Sequence, residues 1–252
     1  MKLAALTCVS SLALAGLRPA PAEACSCGPQ RVWAAIETTA PTNTHVMLWF
    51  AAEVYKKPPT FTLRKAGDTQ PIAIDRRDVQ AGLFTVAELV PKQPLRAKTA
   101  YEVVDDAGAK VLELTTTADP DTKAPAWSGV QKARYVRHLG ACCMCHTGLP
   151  HVRVQTGAYS DDHGTDEVVF AVWIAGPGGK IDYKQPPATY VLPSKNELVL
   201  GNPSTCGRDN FGLPDGKKLR IGVRPVDLAG NVGTASEIEI DLSKQPKEIP
   251  DR

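Results

Sequence analysis

The stretch "ELVPKQPLRAKTAYEVV", residues 88–104, sets two apolar, strand-like runs on either side of a Pro-containing connection. Leu95 precedes by six positions Tyr101, which stands at the start of the second run. That is the spacing of a tyrosine corner, in which the Tyr hydroxyl bonds back to the upstream loop while the ring covers the end of a β-sandwich core.

Working outward, the same texture continues in both directions. Short β-branched and aromatic runs occur at 44–50 (THVMLWF), 60–65 (TFTLRK), 71–75 (PIAID), 83–90 (LFTVAELV), 100–105 (AYEVVD) and 110–117 (KVLELTTT). Pro, Gly and Asp clusters separate them, and none sustains a helical period for three turns. Such runs predict strands of a sandwich or barrel. DDAGAK at 105–110 supplies the polar, Gly-containing turn of a last hairpin.

Residues 41–118 resemble a bacterial Ig-like domain of the kind found in surface-layer proteins, in which L-x-P-x-x-x-L-x-x-x-T-x-Y precedes a Thr-rich final strand. Leu89, Pro91, Leu95, Thr99 and Tyr101 stand at those positions, and Thr115 to Thr117 supply the ending. The resemblance implies a fold, with these residues as core and corner. It implies no activity.

ADPDTKAPAW at 118–127 is a Pro- and Asp-rich break, so residues 119–127 read as an interdomain linker. A second unit, 128–243, follows with strand-like runs at 151–157, 167–175, 188–193, 196–201, 217–227 and 236–242. The last two flank DLAGNVG, whose Gly and Asn residues tolerate the positive φ of a tight turn. Asp227, Gly230 and Asn231 in that turn resemble the D-x-A-G-N hairpin of many bacterial Ig-like and fibronectin type III-like domains. Trp173, mid-strand, is expected at the buried position that a Trp holds in Ig sandwiches. The predicted fold class is all-β: two tandem Ig-like or fibronectin III-like sandwiches, ending in a polar tail at 244–252.

The chain opens with Lys2, an apolar run from Leu3 to Leu17, and an A-x-A site at Ala22-Glu23-Ala24. Residues 1–24 therefore read as a signal peptide, which predicts export to the periplasm or beyond the cell, with a Cys-containing segment 25–40 at the mature N-terminus. Lipid anchoring through Cys25 is the minor alternative, because Ala22 and Glu23 fit a lipobox poorly. No later run is apolar for long enough to span a bilayer. Losing Lys2, Arg18 and Glu23 from 29 basic and 27 acidic groups leaves a formal charge of +1. Such a balance gives no electrostatic footprint for nucleic acid.

Of seven cysteines, Cys8 leaves with the leader, and Cys25, Cys27, Cys142, Cys143, Cys145 and Cys206 remain. An even count in an oxidising compartment makes disulfides the default, with one cluster cysteine pairing to Cys206 and the others tying down Cys25 and Cys27. The connectivity stays open. Two alternatives use Cys142-Cys143-Met144-Cys145-His146. It contains the C-x-x-C-H of c-type haem attachment, and with His151 it offers soft ligands for copper or zinc.

SDDHGTDE places Asp161, Asp162, Asp166 and Glu167 in one loop. Calcium is conceivable there, but the spacing fits no Ca²⁺-loop signature and a solvated turn is the expectation. His163 is expected to be exposed, and His45 and His138 read as surface groups. No nucleophile elbow, zinc-protease helix or phosphate loop occurs, so no catalytic role is assigned. The expected role is that of a non-catalytic module whose partner is a protein or another component of the cell envelope.

Overall fold

The computed structural model describes residues 32–35, 38–51, 58–81, 84–139, 150–164, 168–201, 213 and 216–250, whose regular structure is entirely β. The proposed leader and all six mature cysteines, together with Met144, His146, Asp166 and Glu167, lie outside the described residues.

The first unit contains β1 (Val32–Ala34), β2 (Thr39–Ala40), β3 (Val46–Ala51), β4 (Thr62–Lys65), β5 (Ile74–Ala81), β6 (Phe84–Pro91), β7 (Ala100–Val104) and β8 (Lys110–Thr116). They form two four-stranded sheets, ordered β1-β3-β6-β5 and β2-β8-β7-β4. Side chains on successive strand residues point to opposite faces, so the register decides what is inside. Leu48 pairs with Ala87 and Val46 with Leu89 across one sheet, while Leu63 pairs with Val103 and Tyr101 with Leu114 across the other. All these residues are buried in one core cluster with Phe50 and Leu112. Each large one contributes on the order of 2 kcal/mol by leaving water. At the end of this core the Tyr101 hydroxyl accepts a hydrogen bond from the Arg96 backbone N–H at 2.8 Å.

The second unit contains β9 (Ala126–Trp127), β10 (Val130–Leu139), β11 (His151–Thr156), β12 (Tyr159–Ser160), β13 (Val169–Ala175), β14 (Thr189–Val191), β15 (Glu197–Gly201), β16 (Lys218–Val226), β17 (Ser236–Asp241) and β18 (Lys247–Pro250). Its main sheets run β15-β11-β10-β18 and β14-β13-β16-β17, with β9 and β12 as a separate pair. Val152, Val154, Phe170, Val172, Leu198, Leu200, Ile221 and Val223 fill the space between the main sheets. The molecule is thus all-β, a tandem of Ig-like and fibronectin III-like sandwiches.

Four expectations need correction. The strand read at 71–75 runs instead from Ile74 to Ala81. It is an edge strand, and its inward Arg76 lies 5.8 Å from the centroid of Phe50 and 5.4 Å from that of Phe61, so a cation takes the place of an apolar residue and blurs the pattern. The ten-residue β10 went unread because Lys132, Arg134 and Arg137 are exposed and a bulge interrupts its alternation between Val130 and Lys132. Part of the polar tail, Lys247–Pro250, pairs in parallel with β10, using backbone groups that composition does not report. Trp173 is only half-buried, because Phe170, Val172 and Ile174 take the inward positions of β13 and leave it on the outer face. There its indole donates to the Gln185 carbonyl at 2.8 Å and packs edge-on to Tyr183 at 5.0 Å.

Candidate functional site

The residues that could do chemistry gather where the two sandwiches meet. The first part of that meeting is apolar. Val46, Leu48 and Phe50 of β3 face the first core, so Met47 and Trp49 must face outward, yet they are 2% and 1% exposed. What covers them is the second unit. Trp49 Nε1 donates to the Tyr190 carbonyl at 3.2 Å, and Val169 and Leu228 belong to the same buried cluster as the first core. Ala81 in turn belongs to the second core. Burial pushes the Tyr190 hydroxyl up to about 12, with the Glu88 carboxylate acting in the same direction.

His45, expected at the surface, sits in this contact. Its Nδ1 lies 2.8 Å from Glu88 Oε1, and its backbone N–H donates to the Leu228 carbonyl. The pairing is invisible locally because His45, just before β3, and Glu88, on β6, are far apart along the chain. Gly230 closes over the ring with φ +83°, and a Cβ there would come within 2.5 Å of His45 Cε1. Glycine is required at this position twice over, for the backbone and for the contact.

The second part is polar and centres on the linker. The connection read as the interdomain linker is built into the fold. Asp121 is 2% exposed. Its N–H donates to Asn43 Oδ1 at 2.9 Å, and its carbonyl accepts from Asn43 Nδ2 at 2.6 Å and Asn231 Nδ2 at 3.3 Å. One backbone position therefore binds side chains from both sandwiches. Asp227 organises the hairpin beside it. Its Oδ1 accepts from the N–H groups of Ala229 and Asn231, each at 2.8 Å, and its Oδ2 accepts from Asn231 Nδ2 at 2.9 Å. Burial raises the Asp227 carboxyl to about 6 despite the Asn231 hydrogen bonds, with Asp121 and Asp161 adding to the rise.

Asp121, Asp161, Asp162 and His163 each offer one donor atom to a common point, and these atoms lie within 4.8 Å of one another. His163 Nδ1 is 3.4 Å from both Asp121 Oδ2 and Asp162 Oδ1. The turn is held by the His163 N–H donating to Asp161 Oδ1 at 3.0 Å, and Lys123 Nζ reaches Asp162 Oδ2 at 2.7 Å. Asp121 Oδ2, Asp161 Oδ2 and His163 Nδ1 are buried and make no hydrogen bond. Burial raises the Asp161 carboxyl, and Asp121 and Asp162 reinforce this. The solvated turn expected at 161–163 and the exposed His163 are thus corrected: the loop folds against the linker, and the His163 side chain is 22% exposed. Asp161 and Asp162 were legible as a cluster, whereas their partner Asp121 was hidden by its distance along the chain.

His151, weighed as a ligand of the cysteine cluster, is 1% exposed at the start of β11, with its Nε2 3.4 Å from Arg153 Nε. Tyr101 and Trp173 lie away from the junction, within their own units.

No family model matches the sequence, and no curated protein does. Among solved structures, the chain is similar to the tandem Ig repeats of Dlar at 12% identity, covering 88% of this chain and 100% of that one with a TM-score of 0.26. It is similar to the fibronectin(III)-like modules of Clostridium thermocellum CbhA at 10% identity, covering 86% and 94% with a TM-score of 0.26. A run of titin domains gives 11% identity, 82% and 61% coverage and a TM-score of 0.27. The sheets described above carry the fold assignment without these likenesses.

Proposed function

We propose that the chain is an exported, non-catalytic module of the bacterial cell envelope. In this reading two Ig-like sandwiches, braced by disulfides among Cys25, Cys27, Cys142, Cys143, Cys145 and Cys206, present their loops to a protein or other envelope component as one rigid body. The observation that supports it is the buried outer face of β3, where Met47 and Trp49 pack under the second sandwich. Two domains that share a desolvated apolar surface hold a fixed relative orientation, whereas domains joined only by a linker rotate. A fixed orientation suits a spacer or a presenting scaffold.

Two measurements test the reading. Fractionation of the native host is expected to find the protein in the envelope or medium with its N-terminus at Cys25, and an intact leader in the cytoplasm would overturn export. NMR relaxation of the mature chain is expected to give one tumbling time for both sandwiches. Independent tumbling would overturn the rigid body.

A further inference from the structure

We propose that Asp121, Asp161, Asp162 and His163 form a binding site for a divalent cation of the zinc class, which fastens the interdomain linker to the second sandwich. The inference extends the rigid-module reading but stands on separate observations.

The first is a set of buried polar atoms that make no hydrogen bond. Burying a carboxylate oxygen without a partner costs free energy, so such atoms are rare in folded proteins and call for an explanation. Here two carboxylate oxygens, Asp121 Oδ2 and Asp161 Oδ2, and one ring nitrogen, His163 Nδ1, are buried in one place without a hydrogen bond, the nitrogen standing 3.4 Å from Asp121 Oδ2 and from Asp162 Oδ1. Asp121 is almost wholly inaccessible, with its side chain 1% exposed, and its Oδ2 faces the His163 ring. Nothing in the hairpin or linker requires that oxygen there, because Oδ1 alone accepts the Lys123 N–H.

The second is geometry. Donors about 2.1 Å from a tetrahedral centre stand about 3.4 Å apart. The separations from His163 Nδ1 to Asp121 Oδ2 and to Asp162 Oδ1 are both 3.4 Å. All four donor atoms lie within 4.8 Å of one another.

The third is ligand chemistry. Calcium and magnesium prefer sites built of oxygen, whereas imidazole together with carboxylates suits zinc and its transition-metal neighbours. Three carboxylates against one Lys123 ammonium also leave negative charge for a dication to neutralise. Bound there, the ion would join residue 121 of the linker to the loop at 161–163.

The test compares the mature protein with Asp121→Asn and with His163→Ala. Asn at 121 keeps the oxygen that accepts from Lys123, whereas Ala at 163 empties a largely buried ring, so the melting temperature of each variant in chelator serves as its own reference. Zn²⁺ titration by calorimetry should show one more equivalent per chain for the parent than for either variant. Any thiolate binding is common to all three and cancels. Zn²⁺ should raise the melting temperature of the parent and leave that of the variants unchanged, and X-ray absorption of the additional ion should show nitrogen and oxygen neighbours without sulfur. Equal stoichiometry in the three proteins, a sulfur-only shell, or a site taken by Ca²⁺ and not by Zn²⁺ would overturn the proposal. These results leave the tumbling measurement untouched, so the two readings fail separately.

Discussion

The seam around Trp49 and the junction around Asp121 join the same two sandwiches by opposite chemistry. At the seam the groups around Trp49 are apolar and tightly covered, with the His45–Glu88 pair beside them. At the junction they are carboxylates, amides and an imidazole, some without a hydrogen bond, and burial raises the carboxyls of Asp161 and Asp227. Apolar burial is non-directional and rewards area, so it can supply cohesion without specifying a unique arrangement. Hydrogen bonds from Asn43 and Asn231 to one backbone position supply direction but little net energy, about 1 kcal/mol each. Cohesion and orientation are thus assigned to different residues, and perturbing each should give a different signature.

The largest expected effect is at the seam. Trp49→Ala removes an indole that is 1% exposed and deletes the donor to the Tyr190 carbonyl. The loss should be about 3–5 kcal/mol in denaturant unfolding, the usual range for emptying a large aromatic site. Trp49→Phe keeps most of the apolar area and should cost clearly less. A Trp49→Ala protein within 1 kcal/mol of the parent would show that the second sandwich does not cover this face in solution.

Next in size is the pH response of the junction. The ordinary Asp carboxyl titrates near 3.9, whereas Asp227 is raised to about 6. Between these values the folded protein holds a proton that the unfolded chain has released. Asp227 therefore makes the fold progressively less stable as pH rises from about 4 to about 6, and contributes no further change above that. The span is on the order of 3 kcal/mol, at about 1.4 kcal/mol for each unit of pKa. Asp227→Asn retains an oxygen for the N–H groups of Ala229 and Asn231 but cannot ionise. Urea unfolding of the two proteins in chelator, at pH 4.5 and pH 7, should show the parent losing stability relative to Asp227→Asn on going to the higher pH. A constant difference would mean that Asp227 ionises normally. The Trp49 variants should show no such dependence.

The contrast also explains what could be read in advance. Alternation such as that of β8, where Leu112, Leu114 and Thr116 are more buried than the residues between them, marks a sheet with one wet face. The continuous apolar run Val46 to Phe50 marks a strand covered on both faces, and it was the available signal for the seam. The junction gave no comparable signal. Its parts come from residues 43, 121, 161–163 and 227–231, and each segment alone looks like a polar turn. Trp173 shows the converse error: a large aromatic in mid-strand was assigned to the core, although parity along β13 puts it with Ala171 on the face opposite Phe170 and Val172.

The smallest effect lies away from both contacts and serves to separate them from the stability of a single sandwich. Tyr101 is 4% exposed, and its hydroxyl accepts the Arg96 N–H at 2.8 Å. Tyr101→Phe leaves the ring and its packing in place but strands that donor. The cost should be about 1 kcal/mol, toward the upper end if no water reaches the Arg96 N–H. Because the bond is internal to the first sandwich, the loss should be independent of pH between 4.5 and 7 and should add to that of Asp227→Asn in the double variant, as distant sites do. Trp49→Ala and Asp227→Asn, which act on the same interdomain surface through Leu228 and its hairpin, should instead depart from additivity. Strict additivity in both pairs would mean that seam and junction act as independent fastenings rather than parts of one interface.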